Sequence, residues 1–476
     1  MNKVFYVEEI FKMEQLTCAQ KQITNKDLMY QAGYVLTKDF LSRVMPDIKE
    51  EILVVAGTGN NGGDALVVYQ ELKHLGYAVK LVVIGDVEKA SEGFLFYLSK
   101  ISDKNDVIPF DAVSKAIMNA KYIIDGIFGT GLKKEVLGDY KYLIKTINSL
   151  DKIVYSIDLP SGINPDSGEI MKIAVKACYT GVVGNYKLGN FLNDALDYHG
   201  DMKLLDIGIL EGYSDIYYLD YNEVDLTKKR LHNSHKYSYG NNAFIGSSKM
   251  PGAINLAALA ALRCGIGLAE VFYDSDIVNF SIETIYKKLE EKSDFSLYDV
   301  VVFGPGITEV LPEYQKVFSV LVDQAKKLVV DAGGLKYLDL NKKYKNVVIT
   351  PHLKEFSDLL KIDRDILKKN PISYLRKLSE TGLITLLKGP TTIVQEQRYT
   401  YLMQSKNTGL ATAGSGDVLA GIVSSYLVDE DMINACVKGV ATHSKAAYYA
   451  REKKGEVSMI SSDLIDNIYK VWVKKK

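Results

Sequence analysis

Asn407-Thr408-Gly409-Leu410-Ala411-Thr412-Ala413-Gly414-Ser415-Gly416-Asp417 runs directly into Val418-Leu419-Ala420-Gly421. Glycines and hydroxyls crowd the turn just before an apolar run of helical spacing. Glycine lets the backbone take positive φ and come close to a ligand, and the start of a helix adds free N–H groups and partial positive charge. Several N–H groups can therefore converge on one anion, which is a phosphate-binding design. Asp417 is the odd member, because a carboxylate beside a bound phosphate is repelled unless it has a task. The usual task is to take a proton from a hydroxyl that attacks the phosphoryl group. A glycine-rich turn with an Asp cap explains the same residues without a ligand, so the rest of the chain has to decide.

At 476 residues the chain exceeds what one hydrophobic core serves, which predicts two domains of roughly 200 to 250 residues. Hydrophobic residues at 47%, charged residues at 25% and a net charge of -1 describe an ordinary globular protein. They give no electrostatic reason to expect nucleic acid or an anionic membrane as partner. Cys18, Cys178, Cys264 and Cys436 lie far apart and form no CxxC pair, so neither a zinc site nor a disulfide framework is predicted and a cytoplasmic setting is expected. The N-terminal stretch MNKVFYVEEIFKMEQ has acids inside its apolar pattern and no signal-peptide core. The longest apolar run, Ala253 to Leu262, stops at Arg263, too short to span a bilayer. Lys474-Lys475-Lys476 reads as a solvated tail.

In the first half, apolar runs at Ile52 to Ala56, Val79 to Ile84, Tyr122 to Asp125 and Ile153 to Asp158 alternate with helical patterns. They predict parallel strands in an α/β domain, whose C-terminal ends bind ligands. Three of those ends carry polar, glycine-rich loops: Gly57 to Asp64, Asp125 to Gly131, and Asp158-Leu159-Pro160-Ser161-Gly162. Asp206 to Asp225 shifts to short turns and tyrosines, and a basic, polar stretch from Lys228 to Gly240 opens a second pattern. The boundary is placed there, between domains 1–215 and 222–476. In the second half, strands are expected at Ala243 to Gly246, Val300 to Phe303, Leu328 to Asp331, Val347 to Thr350 and Ile384 to Lys388, with a core helix from Ala253 to Cys264.

Gly57, Gly59 and Gly62 satisfy GxGxxG after a strand, and Asp86 ends the next strand near the distance of a ribose-binding acid. Alone, this supports an NAD(P)-dependent oxidoreductase. Asn60-Asn61-Gly62-Gly63-Asp64 argues against it, because Asp64 sits where a pyrophosphate would press on the helix. His232 and His235 have no further ligands nearby in sequence and read as linker residues.

Taken together, Gly57 to Asp64, Asp125 to Gly131 and Asp158 to Gly162 resemble the epimerase domain of NAD(P)H-hydrate repair enzymes. The second half is similar to their dehydratase domain in His235-Lys236 to Gly246, Gly252-Ala253, Gly304-Pro305-Gly306, Thr350-Pro351-His352, Lys388-Gly389-Pro390-Thr391-Thr392 and Gly414-Ser415-Gly416-Asp417. The order is that of the fused bacterial enzyme. The resemblance implies an α/β chain with an N-terminal Rossmann-like three-layer domain and a C-terminal ribokinase-like domain. It further implies that the first domain interconverts the R and S hydrates of NADH and NADPH, and that the second dehydrates the S hydrate with ADP, leaving AMP and phosphate.

By the same resemblance, Asn60, Asn61, Gly62, Gly63, Asp64 and the run Gly129, Thr130, Gly131, Leu132, Lys133, Lys134 and Glu135 hold the hydrate in the first domain. Asp158 is the acid/base there, and Asn61, Asp125 and Ser161 bind K+. Oxygen donors suit such a hard cation. In the second domain Asp417 deprotonates the substrate hydroxyl. Phosphorylation then converts that hydroxyl into a leaving group which the ring nitrogen expels. Lys388, Gly389, Pro390, Thr391 and Thr392, with Asn407, Thr408, Gly409, Leu410, Ala411, Thr412, Ala413, Gly414, Ser415 and Gly416, hold the nucleotide with Mg2+. Ala253, Gly306 and His352 line the hydrate pocket, although His352 after a strand-ending Pro also reads as a hydrogen-bonded turn residue. A homo-oligomer is expected. The chain departs from the family pattern at Tyr30, Ala65, Gly181 to Tyr186, Gly333-Gly334 and Leu353-Lys354. A ribokinase-type small-molecule kinase with an N-terminal ligand-binding module is the alternative; it yields a stable phosphate ester where the repair enzyme yields free phosphate.

Overall fold

Ile52–Gly57 is buried at every position, and a strand with no solvent face needs cover on both sides. Leu53 and Val55 belong to one apolar cluster, Ile52, Val54 and Ala56 to another, as alternation along a strand dictates. The computed structural model describes residues 1–275 and 281–473, so the lysines read as a solvated tail lie outside the described residues. The chain divides into two units, Asn2–Ser214 and Asp215–Lys476, the latter with Met1.

The seven-stranded sheet of the first unit runs in the order Val107–Ile108, Val79–Ile84, Ile52–Gly57, Tyr122–Gly126, Ile153–Ile157, Tyr179–Val183, Asp201–Leu205. All its pairings are parallel. Helices Asn25–Val44, Asn60–His74 and Glu92–Ser99 cover one face, and Val113–Asn119 with Gly138–Asn148 cover the other. This is the expected Rossmann-like three-layer arrangement. Strand order reverses between Ile52–Gly57 and Tyr122–Gly126, and the crevice beyond such a reversal is where open α/β sheets bind ligands. A short strand, Asn2–Phe5, pairs with Tyr186–Lys187 and leads into helix Val7–Lys21.

In the second unit the order is Ile285–Lys288, Leu268–Tyr273, Asn241–Ile245, Val300–Phe303, Leu328–Val330, Val347–Ile349, Ile384–Leu387, all parallel. Thr391–Glu396 and Tyr399–Gln404 continue it antiparallel. The reversal lies between Asn241–Ile245 and Val300–Phe303. Helices Pro251–Arg263, Ser415–Tyr426, Met432–Lys454 and Ser461–Asn467 bury one face. On the other, helix Pro312–Gln324 packs Tyr314 and Phe318 against Phe303 and Tyr337. This is the ribokinase-like half. Ile216–Tyr218, inside the stretch read as turns, is a strand parallel to Tyr399–Gln404; three residues are too few to show an alternation. No described helix is long and apolar enough to cross a membrane.

Helix Ser415–Tyr426 lies so close to Pro251–Arg263 that a Cβ on Gly421 would sit 2.0 Å from the Ala257 carbonyl oxygen. Gly421→Ala forces the two helices apart and lowers stability by roughly 1–3 kcal/mol, the usual result of overpacking. Denaturant titration of the full chain checks this; an unchanged midpoint for the second unit contradicts it.

Candidate functional site

Helix Asn60–His74 begins hard against the end of strand Ile52–Gly57. A Cβ on Gly62 would lie 1.7 Å from the Gly57 carbonyl oxygen, and one on Gly63 would meet Met29 Sδ at 2.4 Å. Gly62 is therefore required by the backbone, whereas Gly63 faces the end of the Met29 side chain. Asn60, Asn61 and Asp64 line a cavity of ≈ 320 Å³ together with Gly129, Thr130, Gly131, Leu132 and Asp158. Lys133, Lys134 and Glu135 are exposed and are not part of that lining. Among the charged lining residues, Glu14 and Lys187 were not predicted as site residues from sequence.

Asp158 follows strand Ile153–Ile157 with φ 67, a left-handed conformation uncommon for a residue with a side chain and frequent at functional sites. Its carboxylate accepts from the Val183 N–H at 3.1 Å and from Lys187 Nζ. Lys187, 1% exposed, also donates to the Val183 carbonyl at 2.9 Å. Sequence hid this pair because its members are 29 positions apart and the run before Lys187, Gly181 to Tyr186, departs from the family pattern. Burial pushes Asp64 well above the carboxylate range, with the Asp158 charge adding to it.

Asp125 is fully buried. It accepts from Ser156 Oγ at 2.8 Å, from the Ser161 N–H at 2.9 Å, from Ser161 Oγ at 2.5 Å and from the Ile127 N–H at 3.3 Å. Burial raises its pKa, and the bonds from Ser161 and Ser156 oppose the rise. Asn61 Nδ2 donates to the Phe128 carbonyl at 3.0 Å, and Ser161 Oγ reaches the same oxygen at 3.2 Å. Asn61, Asp125 and Ser161 are thus gathered around one loop, with a single carboxylate among neutral oxygens. Such a donor set fits a hard monovalent cation.

In the second unit, Gly414 takes φ 87 and caps helix Ser415–Tyr426. Three contacts hold the turn from inside: Ser415 Oγ donates to the Leu410 carbonyl at 2.8 Å, Ser461 Oγ to the Ala413 carbonyl at 2.6 Å, and Asn407 Nδ2 to the Ala447 carbonyl at 3.0 Å. Burial pulls the His443 pKa down to about 4, and the neutral ring's Nε2 donates to the Ser415 carbonyl at 3.0 Å. Gly416 and Asp417, in the first turn, have N–H groups without an intrahelical acceptor. Thr408 is engaged by Glu456. Gly389 and Pro390 are exposed at the connection between Ile384–Leu387 and Thr391–Glu396.

Lys388 ends its strand beside this helix start: a Cβ on Gly416 would stand 3.0 Å from Lys388 Nζ. Nζ donates to Asp331 Oδ1 at 2.6 Å. Burial works against the ammonium, yet Asp331 and Glu355 hold its pKa above the usual value. Asp417 is pushed up to about 7, first by burial and then by the Asp331 charge, with Lys388 opposing. A base poised near neutrality suits proton abstraction from a hydroxyl. Asp331 was read in sequence as a strand end opening the segment Asp331-Ala332-Gly333-Gly334-Leu335, with no site role; its pairing with Lys388 brings it beside Asp417.

Lys388 N donates to the Pro351 carbonyl at 2.8 Å, which places His352 beside it. His352 caps helix Leu353–Leu360, its Nδ1 accepting from the Lys354 and Glu355 N–H groups at 3.1 and 3.2 Å. The turn role is therefore real, and it leaves Nε2 as the ring's donor in the neutral form. Gly306 has φ 80, and a Cβ there would meet the Met250 carbonyl at 2.5 Å, so it lies next to the segment leading to Ala253.

Fold and site define a two-unit α/β enzyme, with a carboxylate–lysine cleft in one unit and, in the other, a glycine-capped helix start with a largely buried carboxylate, Asp417, beside Lys388 and Asp331. Residues 25–189 match the family described as YjeF-related protein N-terminus, and residues 243–470 the family described as NAD(P)H-hydrate dehydratase. A bifunctional NAD(P)H-hydrate repair enzyme of Coxiella burnetii is 30% identical over 98% of this chain and 99% of its own. Another, of Dictyoglomus turgidum, is 32% identical over 97% of each. The chain belongs to the family of bifunctional NAD(P)H-hydrate repair enzymes. A crystal structure of an ADP/ATP-dependent NAD(P)H-hydrate dehydratase from Bacillus subtilis is 26% identical with a TM-score of 0.46, covering 51% of this chain and 92% of that one.

Proposed function

We propose that the chain repairs hydrated NADH and NADPH in two steps: the first unit interconverts the R and S hydrates, and the second dehydrates the S hydrate at the expense of ADP, releasing AMP and phosphate. The observation that carries the second step is Asp417, raised to about 7 at a helix start beside Lys388 and Asp331. Its carboxylate takes the hydroxyl proton as the oxygen attacks the terminal phosphoryl group. The N–H groups of the first turn and the Lys388 ammonium stabilise charge on the transferred group. The ring nitrogen then expels phosphate, a far better leaving group than hydroxide. Gly306, Ala253 and His352 bound the hydrate, and the loop from Asn407 to Gly416 with Lys388 to Thr392 holds the nucleotide.

Magnesium brought on nucleotide phosphates needs only one or two protein carboxylates; Asp331 would supply one, and the ion would neutralise phosphate charge. In the first unit Asp158 is the proton carrier, and Asn60, Asn61 and Asp64 contact the hydrate. Asn61, Asp125, Ser161 and the Phe128 carbonyl would hold potassium, whose charge screens carboxylates from the dinucleotide's phosphates. A cytoplasmic, homo-oligomeric protein completes the proposal.

The test is purified chain with NADH hydrate and Mg2+, with ADP or ATP, in potassium or sodium buffer, followed at the dihydronicotinamide absorbance with released phosphate counted in parallel. Absorbance returns with one phosphate per NADH, faster with ADP. The R hydrate lags in sodium. A stable phosphate ester with no recovery identifies a small-molecule kinase instead.

A further inference from the structure

The cleft of the first unit holds more carboxylates than its ion pair uses. Glu14, Asp64 and Asp158 all line it, and Lys187 is committed to Asp158. Glu14 stands on helix Val7–Lys21, whereas Asp158 stands at the end of a sheet strand. Asp158 is anchored by Val183 and Lys187. Among the described residues no hydrogen bond holds the Glu14 carboxyl, which leaves it available to a ligand. Glu14 also borders the adjoining cavity of ≈ 700 Å³.

Two demands fall on this cleft. A dinucleotide brings a pyrophosphate, so surplus carboxylates have to be neutral to admit it. Inversion of the hydroxyl-bearing carbon also needs an acid and a base at once. We infer that Glu14 is the acid of the epimerisation, delivering a proton to the ring nitrogen while Asp158 takes the proton of the hydroxyl. The inference rests on the epimerase reading above.

In the hydrate, the carbon carrying the hydroxyl is bonded to the ring nitrogen. Asp158 removes the hydroxyl proton, and the oxygen pair forms C=O as the carbon–nitrogen bond breaks. That bond's electrons remain on nitrogen, which takes the Glu14 proton. The result is an open aldehyde and enamine, with no change in oxidation state. After rotation, the nitrogen pair attacks the other face of the carbonyl, Glu14 recovers the nitrogen proton, and Asp158 returns its own to oxygen. Burial keeps Glu14 above the usual carboxyl range; Lys187 opposes this and the Asp158 charge reinforces it. Burial raises Asp64 well above its usual value, which favours its neutral form, a hydrogen-bond donor to the hydrate. A moderately shifted acid exchanges protons faster than a strongly shifted one at neutral pH.

The experiment starts from chromatographically pure R hydrate with the full-length chain and no nucleotide, and measures appearance of the S hydrate above the spontaneous rate. Glu14→Gln lowers kcat by about 10²-fold or more, with KM changed less than about threefold. Formate partly restores the Glu14→Ala variant. A Glu14→Gln rate within about threefold of the unsubstituted chain overturns the inference. So does a rise in KM that accounts for the loss, without formate rescue, since that assigns Glu14 to holding the substrate. If the unsubstituted chain itself does not interconvert the hydrates, the epimerase reading is what falls.

Discussion

Asp417→Asn lowers recovery of NADH from the S hydrate by about 10²–10⁴-fold, the range in which general bases contribute. Asn matches Asp in shape, and the helix start, Lys388 and the loop from Asn407 stay in place, so nucleotide binding measured by calorimetry changes little. Near-normal turnover in this variant removes the general-base assignment. Because the active form is the carboxylate and burial raises its pKa to about 7, kcat/KM of the unsubstituted chain climbs with pH up to about 7 and then levels. The residual activity of the variant loses that limb. Stability moves the opposite way. An acid whose pKa is higher folded than unfolded destabilises the fold as pH rises between the two values. The Asn variant is therefore the more stable of the two above pH 7, and its advantage fades as pH falls from about 7 toward 3.8, the ordinary Asp value.

Asp158→Asn strands the R hydrate while dehydration of the S hydrate continues. Epimerisation drops by about 10²-fold or more, with the spontaneous reaction as the floor. Removing one partner of a buried ion pair costs about 3–5 kcal/mol, because the other charge is left without compensation. Lys187→Met accordingly lowers the unfolding midpoint of the first unit as well as its activity. If the R hydrate is consumed at the normal rate in Asp158→Asn, the proton passes elsewhere. If Lys187→Met is as stable as the parent, the pair is not what fixes this turn.

Sequence reading succeeded where chemistry and chain neighbours coincide. Gly414 to Asp417 is a glycine turn at a helix start within four residues, and Asp125 to Gly131 is a strand end with its loop attached. It went less far where a partner lies remote. Lys187 reaches Asp158, and Asp331 reaches Lys388, only after strands pair; the segments that carry them, Gly181 to Lys187 and Asp331 to Leu335, depart from the family pattern. Glu14 shares its helix with two other acids, Glu8 and Glu9, so periodicity alone gives it no distinction. The octet from Gly57 shows a different limit. Its glycines read as ligand contacts, and Gly62 has a packing reason as well, the close approach of the Gly57 carbonyl.

Ile216–Tyr218 hydrogen-bonds along Tyr399–Gln404, and just before it the Asp215 carbonyl accepts from the Thr400 N–H at 2.9 Å. These few residues act as an edge guard. Without them, Tyr399–Gln404 presents unpaired amides and carbonyls beside exposed Tyr399, the kind of rim on which chains add to one another and aggregate. A dehydratase half cut at 222 would leave Tyr399–Gln404 with that open rim, whereas one cut after Ser214 keeps this strand paired along Ile216–Tyr218.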